Sequence, residues 1–364
     1  MATAKKLPSG SWRVQVYAGK DAAGKPQYRS FTRPTKKEAE YEALQWQLHY
    51  KEVARDSTAM TLAEAMDKYI TSKDGILSPS TIRGYDIIRR EHLKGLMNLR
   101  LNRLTPALIQ EAINQEAKPY TGQHGKLRTP SPKSVRNIHG LLSAVLAEYC
   151  PDLRLNTTLP QKKAVEQSIL EPEEIAALLK AVEGTEMEIP VLLAVWLCMR
   201  SSEITGLTWD CVDFQRGTVT VRQAKVRNKD NQWVEKDSTK TASSTRTLNA
   251  PDYIMDRLAT ARETSATEYV VTIKGNCLYK RLKTILRKNG LPDIRFHDLR
   301  HTAASVMLML NIPDKYAQRR GGWASNNTMK LVYQHTMAAK RTAVDDMIDG
   351  YFYSLIQDWP QKSM

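Results

Sequence analysis

The chain has 364 residues, enough for two or three domains that each bury a core of their own. It carries 54 lysines and arginines against 39 aspartates and glutamates, which gives a net charge of +15. An excess of this size favours a polyanionic partner, because basic side chains that neutralise phosphates release condensed counterions. Nucleic acid is the first candidate and an anionic membrane surface is the second.

Several patterns argue against a membrane protein, a secreted protein or a metalloprotein. The longest apolar run, residues 189–199, contains a proline and lies between Glu188 and Arg200. It is far shorter than the roughly 20 residues of a membrane span, so we expect a buried helix. The first residues lack the apolar segment of a signal peptide. We therefore expect an intracellular, metal-free protein with reduced cysteines, since no CxxC pair or metal spacing links Cys150, Cys198, Cys211 and Cys277.

The first segment, residues 1–56, is predicted to form a small sheet backed by one helix. An alternating run at 11–17 and an extended run at 27–32 flank a turn rich in glycine, as in a β-hairpin. A helix follows with Thr35 as its N-cap. The residues expected to face inward from this helix are Ala39, Ala43, Leu44 and Trp46.

The predicted strands of this segment carry more basic than acidic residues. A β-ribbon fits a DNA groove, so one face of these strands could lie against DNA. A solvated basic face on a packing module is the alternative. The candidate DNA-binding residues here are Arg13, Arg29 and Arg33.

The second segment, residues 58–158, is predicted to be an all-α bundle. Thr61 and Glu64 form a capping-box pattern, and helix starts also occur at Ser78 and Thr105. A polar loop precedes the last helix, at 133–149. Basic residues recur across the bundle and suit a clamp on a duplex backbone, although each one alone is better explained as an ordinary solvated charge. Arg83 and Arg136 are the candidate DNA contacts in this segment.

The third segment, residues 168–364, follows a linker and is predicted to be a mixed, mainly helical domain. A helix covers the apolar run, strands are expected at 218–221, 232–235 and 245–248, and helices dominate from 251 onward. The expected fold class is therefore multidomain α+β: a small N-terminal sheet with a helix, an all-α domain, and a larger domain with a small antiparallel sheet.

Two arginines and a histidine suggest a phosphate site. His297 and Arg300 stand one turn apart in HDLRH, so both project from one helical face and can donate to one phosphate. Arg200 is predicted to end the apolar helix, where the helix dipole and Glu203 favour a cation. A structural ion pair explains Arg200 equally well.

Three further residues could complete a reactive centre. Tyr333 is the candidate nucleophile, but a phenol with an ordinary pKa of about 10 needs cationic neighbours and a proton acceptor. Lys240 could protonate a leaving 5′-oxygen if its surroundings lower its pKa. The indole of Trp323 could donate to a phosphate oxygen. The structural alternatives are a core tyrosine, a solvated hairpin lysine and a core tryptophan.

The six residues together are more specific than any one of them. Arg200, Lys240, His297, Arg300, Trp323 and Tyr333 occur in the order, and at roughly the intervals, of the tyrosine recombinase family. The chain most resembles phage and integrative-element integrases. One departure is Gly321-Gly322-Trp323, where family members often have Leu-Gly-His, which excludes proton transfer at this position.

The resemblance implies a mechanism without metal or nucleotide cofactor. Tyr333 would attack the scissile phosphate, giving a 3′-phosphotyrosine link and a free 5′-hydroxyl. Arg200 and Arg300 would stabilise the charge on phosphorus, and His297 would accept the tyrosine proton. Lys240 would protonate the leaving oxygen, and Trp323 would orient and pack.

The resemblance also implies partners and a place of action. We expect a site-specific recombinase that integrates and excises a mobile element or prophage in the cytoplasm of a bacterial host. Its partners would be double-stranded DNA at core crossover sites and arm sites, three further copies in a homotetramer, and a directionality factor. The alternatives are a type IB topoisomerase-like enzyme and a catalytically silent DNA-binding regulator. The apolar tail at 345–364 could dock on a neighbouring protomer or on its own domain.

Overall fold

The architecture is taken from a computed structural model of the chain, which describes residues 3–20, 26–122, 125–162, 168–237 and 245–323, and the single positions 325 and 348. The chain divides into two compact units, Met1–Ala164 and Val165–Met364. Lys240, Tyr333 and nearly all of the tail at 345–364 lie outside the described residues. Among the helices of the described ranges, none is long and apolar enough to cross a membrane.

The N-terminal part of the first unit is an antiparallel sheet of order β1-β2-β3 packed on a long helix. The predicted helix start is confirmed, because the hydroxyl of Thr35 accepts a hydrogen bond from the Glu38 amide at 3.3 Å. Leu44 was wrongly expected to face inward and is 37% exposed. Its neighbour Ala43 takes the inward position, and one residue rotates a helix by about 100°. The bounds are β1 Lys5–Lys6, β2 Trp12–Lys20, β3 Pro26–Arg33 and α1 Lys36–Ala59.

The strand register separates the candidate DNA-binding arginines onto two faces. Arg13 lies opposite Thr32, on the face that points away from α1. Arg29 lies opposite buried Val16, and its guanidinium is 5.7 Å from the ring centre of Trp46 on α1. Arg33 likewise lies on the helix side, where it pairs with a glutamate of α1. The three candidate arginines therefore do not share one face of the sheet, because neighbouring residues of a strand alternate between faces.

The remainder of the first unit is a helical bundle, as predicted. The capping box is confirmed, since the Glu64 amide donates to the Thr61 hydroxyl and the Glu64 carboxylate accepts from the Thr61 amide. The polar loop before the last helix was expected to be irregular but contains a short hairpin, β4 Tyr120–Thr121 with β5 Leu127–Arg128. The helices are α2 Leu62–Lys73, α3 Pro79–Glu91, α4 Lys94–Met97, α5 Pro106–Glu116 and α6 Pro132–Tyr149.

The second unit surrounds two small antiparallel sheets with helices. One sheet has the order β10-β7-β6, and the other pairs β8 with β9. The predicted strands correspond to β7, β9 and β10, whereas the sequence patterns missed β6 and β8. The strands are β6 Val212–Asp213, β7 Thr218–Val221, β8 Gln223–Arg227, β9 Trp233–Asp237 and β10 Arg246–Asn249. The helices are α7 Pro172–Val182, α8 Glu188–Val195, α9 Ser201–Thr205, α10 Asp252–Glu263, α11 Gly275–Lys288, α12 Asp298–Met309 and α13 Asp314–Gly321. The expected multidomain α+β fold class is confirmed.

The apolar helix ends earlier than predicted. Helix α8 stops at Val195, and Cys198, three positions later, adopts a left-handed backbone with φ of 55°. Arg200 therefore does not terminate this helix; it is the N-cap residue of α9. The helix dipole disfavours a cation at that end, and Glu203 in the first turn of α9 offsets this effect.

Candidate active site

Four of the six predicted site residues are described, and they lie around the first turn of α12. His297 caps this helix and Arg300 projects from it. The Arg300 guanidinium carbon is 4.5 Å from the ring centre of Trp323, beyond the end of α13. Arg200 reaches the same place, since its Nη2 donates to the Gly322 carbonyl at 3.0 Å. The fold thus brings together residues that are more than a hundred positions apart in the chain.

Arg300 is buried but incompletely satisfied. Only 2% of the residue is exposed, and its Nη1 donates to the Cys198 carbonyl. Its Nη2 has no hydrogen-bond partner among the residues that the structure describes. Burial lowers the pKa of Arg300 to about 10, so the group remains a cation at neutral pH. A buried cationic donor without a partner is costly, and a phosphate oxygen would satisfy it.

Arg200 is held on two sides while remaining accessible. Its Nη1 donates to Oε1 of Glu203 at 2.7 Å, and its amide donates to Oε2 at 2.8 Å. Its Nη2 contact with Gly322 fixes the other side of the guanidinium. The side chain is nevertheless 36% exposed. Arg200 can therefore contact a ligand without leaving this position.

A second arginine on Glu203 was missed by the sequence analysis. Arg246, the first residue of β10, donates from Nη1 and Nη2 to Glu203 at 3.2 and 2.8 Å. Burial raises the pKa of Glu203, but the hydrogen bonds and charges of Arg246 and Arg200 outweigh it and hold the pKa at about 2. Glu203 is therefore ionised at neutral pH. The sequence did contain a sign of this ion pair: Arg246 is an arginine at an inward-facing position of a strand whose residues alternate between buried and exposed.

Two neighbouring histidines in this site favour the neutral form. Burial is the main cause of the lowered pKa of His297, and the charge of Arg300 adds to it. His301 lies edge-on to His297 with ring centres 4.8 Å apart, and burial lowers its pKa to about 4. A neutral imidazole has one nitrogen that can accept a proton. His297 thus has the protonation state that a general base requires.

The Gly321-Gly322 pair explains how Trp323 fits beside the arginines. A Cβ on Gly321 would lie 2.1 Å from Cζ3 of the indole, so no larger residue fits there. Gly322 ends α13 with a left-handed φ of 62°, and a Cβ there would lie 2.9 Å from Nη1 of Arg246. Trp323 is buried against Ala303, Ala304, Met307 and Ala317. It therefore combines a core position with a contact to Arg300.

Comparison with known proteins identifies the family. Residues 168–340 match the model of the phage integrase family. The XerC-like tyrosine recombinase of Caldanaerobacter subterraneus subsp. tengcongensis is 24% identical over 386 aligned positions, which cover 94% of this chain and 96% of that protein. The Tn1549 transposon integrase in complex with transposon right end DNA has a similar fold, with a TM-score of 0.62 and 16% identity over 80% of this chain and 100% of that chain. A lambda integrase tetramer bound to a Holliday junction gives a TM-score of 0.55 and 18% identity over 91% of this chain and 94% of that chain.

The chain carries a domain of the phage integrase family at residues 168–340, and it is similar over 94% of its length to a XerC-like tyrosine recombinase. It is a site-specific recombinase that cleaves and rejoins DNA strands, and the expected family and enzyme class are confirmed. The topoisomerase-like and silent-regulator alternatives are not favoured.

We predict that Gly322→Ala impairs the recombinase beyond the cost of backbone strain. Alanine at this φ costs about 1–2 kcal/mol of unfolding free energy, and its methyl group would also displace the Arg246 guanidinium. Gly290→Ala is a matched control, because φ is 66° there and nothing lies within 4 Å of the added Cβ. Urea unfolding should show a loss in both variants, and DNA cleavage should slow only in Gly322→Ala. Equal cleavage by the two variants would contradict the prediction.

Proposed function

We propose that this recombinase integrates and excises a mobile element or prophage through a covalent 3′-phosphotyrosine intermediate at Tyr333. The observation that carries the proposal is the convergence of Arg200 and Arg300 on one place, where Nη2 of Arg300 has no hydrogen-bond partner among the described residues. The scissile phosphate of DNA is the anion that a recombinase must bind there.

In this mechanism the arginines provide electrostatic stabilisation. The phosphoryl group gains negative charge on its equatorial oxygens as the tyrosine oxygen bonds to phosphorus and the bond to the 5′-oxygen breaks. Arg200 and Arg300 are already fixed by Glu203 and by the Cys198 carbonyl, so little reorganisation is needed. Trp323 helps to hold the Arg300 guanidinium in place.

Proton transfer is assigned to three residues. The tyrosine proton passes to neutral His297, and Lys240 gives a proton to the leaving 5′-oxygen. The bond energy is retained in the phosphotyrosine, so a 5′-hydroxyl of a partner strand can reverse the chemistry. The assignments of Lys240 and Tyr333 rest on the sequence motif.

We further propose the partners and the division of labour along the chain. Residues 1–56 would bind arm sites, residues 58–158 would clamp the core crossover site, and residues 168–364 would catalyse strand cleavage and rejoining.

Helix α1 contacts both the N-terminal sheet and α6, so it connects the first two domains. A homotetramer on two duplexes would carry out strand exchange, and a directionality factor would bias it, in the cytoplasm of a bacterial host. Arg83 and Arg136 remain candidate DNA contacts, although Arg136 already donates to the Pro160 carbonyl at 3.0 Å.

We predict that Tyr333→Phe abolishes covalent attachment to a nicked half-site duplex but leaves DNA affinity within about threefold, because only the attacking oxygen is lost. Gel separation of the protein–DNA adduct measures attachment, in buffer with excess EDTA. Tyr316→Phe is the control, since Tyr316 is 69% exposed on α13 and should be dispensable. An adduct that persists in Tyr333→Phe would place the nucleophile elsewhere, and a need for added metal would overturn the mechanism.

We also predict the pH dependence of cleavage. Because the pKa of His297 is lowered from its ordinary value of 6.5, the neutral base is retained on acidification until the pH is below that value. The acidic limb of single-turnover cleavage should therefore have its midpoint below pH 6.5. In His297→Gln the rate should be low and this acidic limb absent. An acidic limb centred above 6.5 would show that His297 is not the base in this environment.

The two faces of the N-terminal sheet provide a test of arm binding. Arg13→Ala should weaken binding to a duplex that spans the attachment site with its flanking arms by about tenfold, and reduce the salt dependence by about one ion. Arg33→Ala is the matched control, since Arg33 pairs with Glu42 at 2.6 Å on the helix side. Its affinity should change less than about threefold. If Arg13→Ala loses as much affinity for a duplex that contains only the crossover site, Arg13 does not act in arm binding.

A further inference from the structure

We infer that Arg246 is a positioning residue for strand cleavage, which holds Glu203 so that Glu203 holds Arg200 against the scissile phosphate. This inference rests on the proposed role of Arg200. In this role Arg246 does not contact DNA.

The first support is that Arg246 uses all three of its nitrogens within the protein. Nη1 and Nη2 donate to the two oxygens of Glu203, and Nε donates to the Arg320 carbonyl at 2.9 Å. The side chain is only 4% exposed, and that of Glu203 is 6% exposed. Every nitrogen of Arg246 already donates within the protein, whereas Nη2 of Arg300 has no hydrogen-bond partner among the described residues. Arg246 instead has the geometry of a fixed internal support.

The second support is the way in which the two arginines share one carboxylate. Oε1 of Glu203 accepts from Nη1 of both Arg200 and Arg246, and Oε2 accepts from the Arg200 amide and Nη2 of Arg246. The planar fork of Arg246 fixes both oxygens at once, which a point charge cannot do. Without that fork, Glu203 would keep only Arg200 as its partner and could rotate. A displaced Glu203 would release Arg200 from its position.

The third support is that Arg246 also fixes the end of α13. Its Nε bond to Arg320 and its close approach to Gly322 place the guanidinium beside the carbonyl that accepts from Arg200. Both anchors of the Arg200 guanidinium, Glu203 and Gly322, therefore contact Arg246. A substitution at Arg246 disturbs the two anchors together.

The competing explanation is that Arg246 and Glu203 form an ion pair that only stabilises the fold. A double-mutant cycle separates the two roles, because residues that act through one another are not additive whereas independent ones are. The variants are Arg246→Gln, Arg246→Lys, Arg200→Lys and the double variant Arg200→Lys with Arg246→Gln, all in the full chain. Single-turnover cleavage of a nicked duplex gives the rate, and gel mobility shift gives the affinity.

We expect Arg246→Gln to slow cleavage about 10- to 100-fold, because small displacements of a catalytic group are costly. DNA affinity should stay within about threefold, since Arg246 does not contact DNA. In the Arg200→Lys background the same change should slow cleavage less than about threefold further. Arg246→Lys keeps the charge but not the fork and should restore the rate only in part.

Arg257→Gln is the matched control for a purely structural effect. Arg257 on α10 pairs with Glu188 and Glu183 within the same unit, and neither partner is one of the site residues. Thermal unfolding of each variant shows its stability, and cleavage is measured well below the lowest midpoint. Arg257→Gln should lose stability but cleave at the wild-type rate. If Arg246→Gln does not fold, the cycle is made with Arg246→Lys instead. The inference is then supported if Arg246→Lys slows cleavage in the wild-type background but not in the Arg200→Lys background.

The outcomes separate this inference from the proposed function. If Arg200→Lys cleaves like the wild type, the role proposed for Arg200 fails. If Arg200→Lys is slow but the Arg246 substitution leaves the rate unchanged, or slows both backgrounds by the same factor, only the positioning role of Arg246 is overturned. Full rescue by Arg246→Lys would overturn it as well, because charge alone would then suffice.

Discussion

The Glu203 carboxylate is the interaction on which the catalytic site depends. It accepts four N–H groups from Arg200 and Arg246, and so connects the start of α9 with the start of β10. Buried ion pairs of this kind contribute little net stability compared with apolar packing, because desolvation offsets the attraction. The main effect of the ion pair is to fix the position of the Arg200 guanidinium. A guanidinium on a flexible side chain is thereby held in one place, ready for a phosphate.

The same arrangement determines the electrostatics of the site. The charge of Glu203 offsets only part of the charge of Arg200, Arg246 and Arg300. The net positive charge that remains disfavours any further cation. Burial and this charge both lower the pKa of His297. A site that keeps its histidines neutral while its arginines stay charged can accept a proton and bind an anion at once. Burial lowers the pKa of Arg300 to about 10, yet the guanidinium keeps its charge at physiological pH.

Local signals predicted the parts of the fold that local interactions determine. The capping box at Thr61, the alternation in β2 and β7, and the shared helical face of His297 and Arg300 all depend on residues a few positions apart. The end of α8 could not be predicted, because the apolar run continues to Met199 and carries no glycine or proline after Val195 to mark the stop. The Glu203–Arg246 pair spans 43 positions, so it exists only once β10 packs beside α9. Arg29 and Arg33 lie on the helix side of the sheet because successive residues of a strand point to opposite faces. Their positive charge alone did not indicate the face on which they lie.

The tryptophan at position 323 is explained by the packing around Arg300. Arg300 is buried with one donor nitrogen unsatisfied among the described residues, and an aromatic face over its guanidinium offsets part of that cost. Cation–π contacts contribute about 2 kcal/mol when desolvated, and tryptophan is the most effective ring. The larger indole fits because Gly321 has no side chain and because Gly322 turns the backbone through a left-handed conformation. In the proposed mechanism Trp323 therefore holds Arg300 in place, and proton transfer is assigned to His297 and Lys240.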